Sequence, residues 1–464
     1  MAASDLRPHS EAGILLRKRE GQRVDRQWTQ ADHLCVGNRL LYFARELERR
    51  WRAADYDFNV FPELAANQLR LADLSGALTY DACVEWAMRA GSLPSQLDPT
   101  GRFGDVPYTV VREAHLLVQL IFWRDSFSSV HGHGFSGAFA VITGGVLQAR
   151  YTFDVGERIC DDVLVGELRR TDVDLLSPGC VAPIRHGSAG IHGVFHFARP
   201  TVVVVVRANH DASAERERPL QYFSPGLAYS TSGCTESSER RIQLARFLLA
   251  TRGGATELVP ALLRMSTPLE VVRILHEECF PSMARDAFRR LAQVAAPAIH
   301  PAVASRLDRF VANRSLESAA RTLLRSVSQD DHRLLLACAL FELSAAETRR
   351  LVEEWPRPSR EPFALVDALV ALAHACLDRS VKSDALARYV FAQRIVGTPA
   401  PQIAARISTK HGVALADVTL AVDRLLASPD SHMIRSLSVF AESLLHTSAQ
   451  HIQTAQPEST ERKR

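Results

Sequence analysis

The sequence predicts an α+β fold in which a small antiparallel β-barrel lies between two helical regions. Residues 107–229 contain short apolar runs broken by Gly and Pro, which is the pattern of closely spaced strands in a barrel or sandwich. The residues before this stretch have apolar side chains at helical spacing. The roughly two hundred residues after it contain no strand candidate and are rich in Ala and Leu.

The region before the barrel is predicted to be helical over residues 28–106, after a disordered tail at residues 1–27. Apolar side chains recur near helical spacing in its first part, at Leu40, Leu41, Phe43 and Leu47. The tail carries charged residues throughout and lacks the apolar segment of a secretory signal.

The barrel is predicted to cover residues 107–232. Its main strand candidates are the apolar runs 108–111, 116–123, 139–143, 146–153 and 202–206. A large all-helical domain is predicted over residues 238–449, followed by a disordered tail at 450–464. Its amphipathic segments alternate with Pro, Gly and Ser breaks. We expect this domain to be a scaffold for a possible protein partner.

Composition narrows the classes of partner. The formal net charge is only +3, from 55 basic and 52 acidic residues, which gives no case for nucleic acid or an anionic membrane. The eight cysteines form no C-x-x-C pair, which favours reduced thiols over a disulfide framework. The longest nearly apolar run, residues 364–377, is too short to span a bilayer. We therefore expect a cytoplasmic protein that binds a small molecule and no membrane.

The most informative feature is the run His131-Gly132-His133. On a strand, residues i and i+2 point to the same face, so the two imidazoles converge as a bound metal requires. A single histidine on an apolar strand is more often a hydrogen-bonded core residue. Here, however, the pair is followed by a strand, a Gly-Gly turn and another strand. We predict that His131 and His133 are metal ligands.

The stretch 108–229 resembles the cupin superfamily, specifically the cysteine-dioxygenase type. Cupin motif one is roughly G-x5-H-x-H-x3,4-E-x6-G, and His131, His133 and Gly144 occupy its histidine and final glycine positions. The glutamate position falls at Gly137 or Ala138, so that carboxylate is missing. Thiol dioxygenases also lack it and hold Fe(II) with three histidines. The resemblance therefore implies a cupin-type barrel with Fe(II), or another divalent metal.

The third ligand is not at its usual place. The motif-two histidine position falls at Ala182, which cannot ligate, so the candidates are His186, His192 and His196 just downstream. His192 and His196 share one strand face but lie roughly 13 Å apart, at about 3.3 Å per residue, so they cannot both bind one ion. The resemblance implies that one of them is a ligand and the other its supporting partner.

The position of a turn separates these two alternatives. A hairpin that turns at residues 187–190 places His196 beside Ala182, whereas a tighter turn at His186-Gly187 places His192 there. Four Gly, Ser and Ala residues in a row make the later turn simpler. We therefore expect His196 nearer the metal and His192 facing the substrate, with His186 as a weaker candidate that lines the pocket.

The resemblance implies O2-dependent oxidation of a small thiol- or amine-containing molecule, since three neutral imidazoles leave coordination positions open. Cysteine dioxygenases carry an Arg directly after Tyr-Thr to hold the substrate carboxylate. Here Val110 follows Tyr108-Thr109, and Arg112 is the nearest arginine on that strand face. Free cysteine is therefore not the expected substrate, and we assign Arg112 and Tyr151 to the substrate pocket.

Two other function classes remain open. A non-catalytic ligand-binding or sensory cupin, with the helical domain as a partner-binding scaffold, is favoured by the loss of both the glutamate and the motif-two histidine. The retained downstream histidines favour the enzyme. A non-redox metal cupin, such as an isomerase, is a third option.

Overall fold

The computed structural model describes most of the barrel and parts of both helical regions. The described residues are 36–97, 104–124, 126–209, 219–230, 234–251, 258–279, 285–307, 329–355, 399–411 and 414–417, together with the single positions 310, 317, 324, 327 and 419. Both predicted tails lie outside them.

In the described part of the chain, four helices precede the barrel: α1 (Val36–Arg52), α2 (Phe61–Ala72), α3 (Leu74–Ala77) and α4 (Tyr80–Arg89). Their apolar faces pack against one sheet of the barrel domain in a shared core that includes Leu40, Phe43, Trp51 and Leu69. The predicted helical region is therefore a layer that covers this sheet.

Eleven strands follow in the described chain. They are β1 (Val106–Arg112), β2 (Leu116–Trp123), β3 (Phe127–His133), β4 (Gly137–Thr143), β5 (Val146–Cys160), β6 (Val163–Leu176), β7 (Val181–Ile184), β8 (Gly187–His196), β9 (Thr201–Ala208), β10 (Leu220–Phe223) and β11 (Leu227–Ser230). The first sheet has the order β1-β2-β9-β4-β7, and the second closes into a barrel with the order β10-β11-β6-β5-β8-β3. All the pairings between these strands are antiparallel, as expected.

The alternation of side chains along the strands produces two separate cores. On β9, Val202, Val204 and Val206 pack against the N-terminal helices, which explains why this strand is apolar at nearly every position. Val203 and Val205 face the other way and join Val146 and Val194 of the second sheet. The space between the two sheets is therefore an interior that both sheets line.

The described residues after the barrel form the helices α5 (Glu236–Thr251), α6 (Leu258–Arg264), α7 (Pro268–Arg273), α8 (Arg285–Ala295), α9 (Pro301–Ala304), α10 (Asp330–Leu340), α11 (Ala345–Glu354) and α12 (Ala400–His411). A π-helical turn, Ile274–Cys279, follows α7, and a short 3-10 turn, Ala296–Ala298, follows α8. Helix α11 begins with a capping box, in which Ser344 and Glu347 bond each other's backbone N–H. The extent of an all-helical domain stays a prediction, because residues 356–398 and 420–464 lie outside the described chain.

Helices α5 to α11 share cores with the strands. Helices α10 and α11 pack on Leu147, Phe195 and Phe197 of the second sheet and of the segment that follows β8. Helices α5 to α9 pack on strands β6 and β11 of the same sheet, through Val163 and Tyr229. None of the helices in the described part of the chain has the length and apolarity that a membrane crossing requires.

Candidate metal centre

Three histidines meet on the inner face of the second sheet. His131 and His133 come from β3, and His192 lies opposite His131 in the register of β8. Their potential ligand atoms all lie within 4.8 Å of one another. The ring centroids are 4.5 Å apart for His131 and His133, and 4.8 Å apart for His133 and His192. The two-residue period of β3 supplies the pair, and strand pairing supplies the third ring.

The protonation of His131 suits a metal ligand. Its Nδ1 lies 2.7 Å from the carbonyl oxygen of Ser129, which can only accept, so Nδ1 carries the proton and Nε2 keeps its lone pair. Burial lowers the pKa of His131 below its ordinary value. Burial and the neighbouring imidazoles lower the pKa of His133 and that of His192 well below it. All three rings are therefore neutral at physiological pH, the form that binds a metal.

The buried side chain of Gln148 determines which ring nitrogen of His192 carries the proton. The Gln148 side-chain amide nitrogen lies 2.6 Å from Nδ1 of His192, whose Nε2 lies 2.7 Å from Nε2 of His133. In this orientation Gln148 donates to Nδ1, and the His192 proton is on Nε2, between the two rings. A half-turn of the amide presents Oε1 to Nδ1 instead, and Oε1 has no hydrogen-bond partner within the described residues. Nδ1 then donates to Oε1, and Nε2 is free to bind an ion.

These residues fit a divalent metal. Three neutral imidazoles converge, one is fixed by a backbone carbonyl and another faces an amide that can accept its proton. The group formed by the described residues contains no carboxylate. Bound there, an ion would keep its positive charge and open coordination positions.

The structure does not bring His196 to this group, contrary to the expectation from the turn. His196 stacks on Trp123 of the first sheet at 3.9 Å between ring centroids and 9° between planes. Burial lowers its pKa to about 3, and it hydrogen-bonds the backbone of Ser126. It is thus a neutral core residue that joins the two sheets.

The physical reason for this correction is that β7 and β8 do not form a hairpin. Ala182 pairs with Phe139 on β4, in the first sheet, whereas β8 pairs with β3 and β5 in the second. The chain crosses between sheets at Arg185-His186, so neither turn considered from the sequence forms. His192 reaches the site through its register with His131 rather than through a neighbour at Ala182.

The three residues assigned to the substrate pocket lie in different places. His186 is beside His133 through an isolated bridge, and its Nε2 is buried without a hydrogen-bond partner in the described chain. Arg112 is exposed on the edge strand β1 and donates to the Ser95 carbonyl oxygen at 3.0 Å. Of the three, only His186 is adjacent to the histidine group.

Tyr151 points away from the histidines. Its neighbour Arg150 pairs with His192, so the alternation along β5 turns Tyr151 to the opposite face. There it lines a cavity of about 260 Å³, with Arg170, Tyr222 and Phe341 among its walls. Burial raises the pKa of its phenol above the ordinary value.

Two polar residues near the site, Gln148 and Arg207, were not among the predicted site residues. Gln148 is 2% exposed and interrupts the apolar start of β5, and Arg207 ends the apolar run of β9. A polar side chain inside a buried strand was the available signal, because such a residue needs a partner or a ligand.

No protein-family model matches this chain, and neither does any curated protein sequence. Limited similarity is found to a number of solved structures, among them the three that follow. Hydroquinone 1,2-dioxygenase from Sphingomonas sp. TTNP3, solved with 4-hydroxybenzoate bound, matches at 11% identity over 22% of this chain and 65% of its own, with a TM-score of 0.17. This chain therefore spans slightly less than two thirds of that enzyme.

The other two are DMSP lyases. A structure reported for RdDddP and RnDddQII matches at 16% identity over 39% of this chain and 95% of its own, with a TM-score of 0.23. DddQ from Ruegeria pomeroyi DSS-3 matches at 14% identity over 32% of this chain and 76% of its own, with a TM-score of 0.19. These TM-scores are too low to assign the fold or the function of those proteins to this chain. Its function is therefore inferred from the site itself.

Proposed function

We propose that this protein is a metal-dependent cupin enzyme, a non-heme Fe(II) oxygenase that acts with O2 on a small thiol- or amine-containing metabolite. The observation that carries the proposal is the convergence of His131, His133 and His192 as neutral imidazoles in the interior between two sheets. A bound Fe(II) would supply a Lewis-acidic centre with open positions for substrate and O2.

The protein's own residues have distinct roles in this proposal. His131, His133 and His192 hold the ion, and Gln148 sets which nitrogen of His192 carries the proton. The Phe135 ring lies 4.7 Å from the His133 ring and limits the access of water to that side. His186, with its buried Nε2, is placed to donate to or accept from a bound molecule.

Oxygen consumption tests the reaction class. The full chain, loaded anaerobically with Fe(II), is mixed with aerated buffer and a panel of small thiols and amines, and O2 uptake is followed with an electrode. We expect uptake with at least one thiol or amine and none after His133→Ala. Stoichiometric metal without uptake for any member of the panel would contradict the oxygenase and favour the non-catalytic ligand-binding cupin.

A further inference from the structure

A positively charged side chain, Arg207, lies near the histidine group, and no carboxylate among the described residues pairs with it. Arg207 is on β9 in the first sheet, opposite Gly137 on β4 and Leu117 on β2. This register places it on the same face as Val203 and Val205, which line the interior between the sheets. Gly137 offers no side chain that would cover the guanidinium.

Arg207 contacts the ring of Phe135, which in turn lies next to the proposed metal ligand His133. Its guanidinium carbon lies 4.9 Å from the centre of the Phe135 ring, and the same ring lies 4.7 Å from the His133 ring. The positive charge of Arg207 is close enough to lower the pKa of His133. Arg207, Phe135 and His133 therefore form one continuous wall.

Arg207 is not neutralised by the protein in the described ranges. Its Nε is buried and has no hydrogen-bond partner there. The charged side chain that acts on it is Arg112, which is of the same sign, and burial together with this repulsion lowers the pKa of Arg207 to about 10. The guanidinium is thus still charged at neutral pH.

Arg207 is half-buried, and its buried Nε–H is costly because this group has lost water and gained no acceptor. The aromatic face of Phe135 compensates for only a small part of this loss. An anionic group on a bound ligand would supply the missing partner. The planar fork of an arginine fits the two oxygens of a carboxylate, whereas a phosphate site usually gathers several donors.

We propose that Arg207 binds the carboxylate of the substrate that reacts at the histidine group, so that the substrate is a small organic acid bearing the thiol or amine. This inference deepens the proposed function and rests on it for the reacting group. The position that resembles the carboxylate-binding arginine of cysteine dioxygenases is Val110, on β1. Arg207 stands on a different strand, so the carboxylate would enter from another side of the interior.

Two probes of equal length test the proposal. Mercaptoacetate carries a carboxylate, and 2-mercaptoethanol carries a hydroxyl in its place. Calorimetric titration of the full chain loaded with Co(II) gives the dissociation constant of each. We expect mercaptoacetate to bind about tenfold to hundredfold more tightly, as hydrogen bonds to a charged group do.

Four substitutions test whether Arg207 causes the preference for the carboxylate of mercaptoacetate. Arg207→Gln removes the charge and should bring the two constants within about twofold, since an uncharged amide cannot favour an anion by more than one ordinary hydrogen bond. Arg207→Lys should keep part of the preference. Arg112→Gln and Arg169→Gln, which remove exposed charges from other strands, should keep all of it. A preference that survives Arg207→Gln, or that is lost in Arg112→Gln, overturns the proposal.

The same titrations on metal-free protein separate this inference from the proposed function. The carboxylate preference should persist at weaker affinity, because Arg207 does not depend on the metal. A chain that binds no metal but shows a preference lost in Arg207→Gln would keep the arginine site and contradict the metalloenzyme. A metal-loaded chain that binds both probes equally would contradict the arginine site alone.

Discussion

At the scale of single residues, Gln148 decides whether His192 can be a ligand. Its amide either donates to Nδ1 of His192 or, after a half-turn, accepts from it. Only the second state leaves the Nε2 lone pair of His192 free. A partner that fixes the proton of a metal-binding histidine typically contributes about tenfold to hundredfold in metal affinity.

We predict that Gln148→Leu, which keeps the volume and removes the acceptor, weakens Zn(II) or Co(II) binding by about tenfold to hundredfold. Gln148→Glu supplies an acceptor and should keep the affinity near that of the native chain. Competition with a chromophoric chelator measures both. Gln119→Leu, at a buried glutamine of the facing sheet, is the matched control. Native affinity in Gln148→Leu would show that the amide does not orient His192.

The single residues of the site also show how much of it can be predicted from the sequence. His131 and His133 follow from the local period of a strand, and the structure brings them together. The choice between His192 and His196 depended on which sheet each of two consecutive strands joins, and no local pattern contains that information. Gln148 and Arg207 acquire their importance only from register, through residues far away in the chain.

At the scale of elements, the turn between β4 and β5 fixes how the two sheets are joined. Gly144 has a φ of 88°, and a Cβ there would lie 2.6 Å from the Pro200 carbonyl oxygen. This is the glycine that occupies the last position of motif one. Its role in the structure is therefore conformational, since a side chain would both strain the backbone and displace the start of β9.

We predict that Gly144→Ala lowers the free energy of unfolding by about 1–3 kcal/mol, because the backbone conformation is strained and the site is filled. Urea denaturation monitored by circular dichroism measures the change. Gly91→Ala is the control, because a Cβ there meets no heavy atom within 4 Å. Equal stability of the two variants would mean that this turn tolerates a side chain.

At the scale of the whole molecule, helices α5 to α11 and the strands of the second sheet pack together. The sequence suggests a boundary between residues 232 and 238, and β11 ends at Ser230 while α5 begins at Glu236. Yet α5 to α9 and α10 to α11 each share a hydrophobic core with the second sheet. A change of composition along the chain shows where one type of secondary structure ends, but it does not show which faces pack together.

Arg333 on α10 connects these helices to the barrel through hydrogen bonds. It is fully buried and donates to the carbonyl oxygens of Arg124 at 2.7 Å and Leu324 at 3.1 Å, and also to that of Phe197. Burial lowers its pKa to about 9. One guanidinium thus satisfies carbonyl groups from the loop after β2 and from the end of β8, which carries His192.

We predict that Arg333→Met lowers the free energy of unfolding by about 3–5 kcal/mol, because several buried carbonyl groups lose their donor at once. Thermal and urea denaturation of the full chain measure it. Arg350→Met removes an exposed arginine of α11 that pairs with Glu354 in the same helix, and this should cost about 0.3–0.5 kcal/mol. A loss below about 1 kcal/mol for Arg333→Met would show that the helices do not depend on this contact.

Metal stoichiometry in histidine variants tests the central claim most directly. The full chain is loaded anaerobically with Fe(II), desalted and analysed for iron, beside His133→Ala, His192→Ala and His196→Ala. The structure predicts about one ion per chain in the native protein, a loss of most of it in His133→Ala and His192→Ala, and full retention in His196→Ala. Retention in His192→Ala with loss in His196→Ala would contradict the proposed three-histidine site.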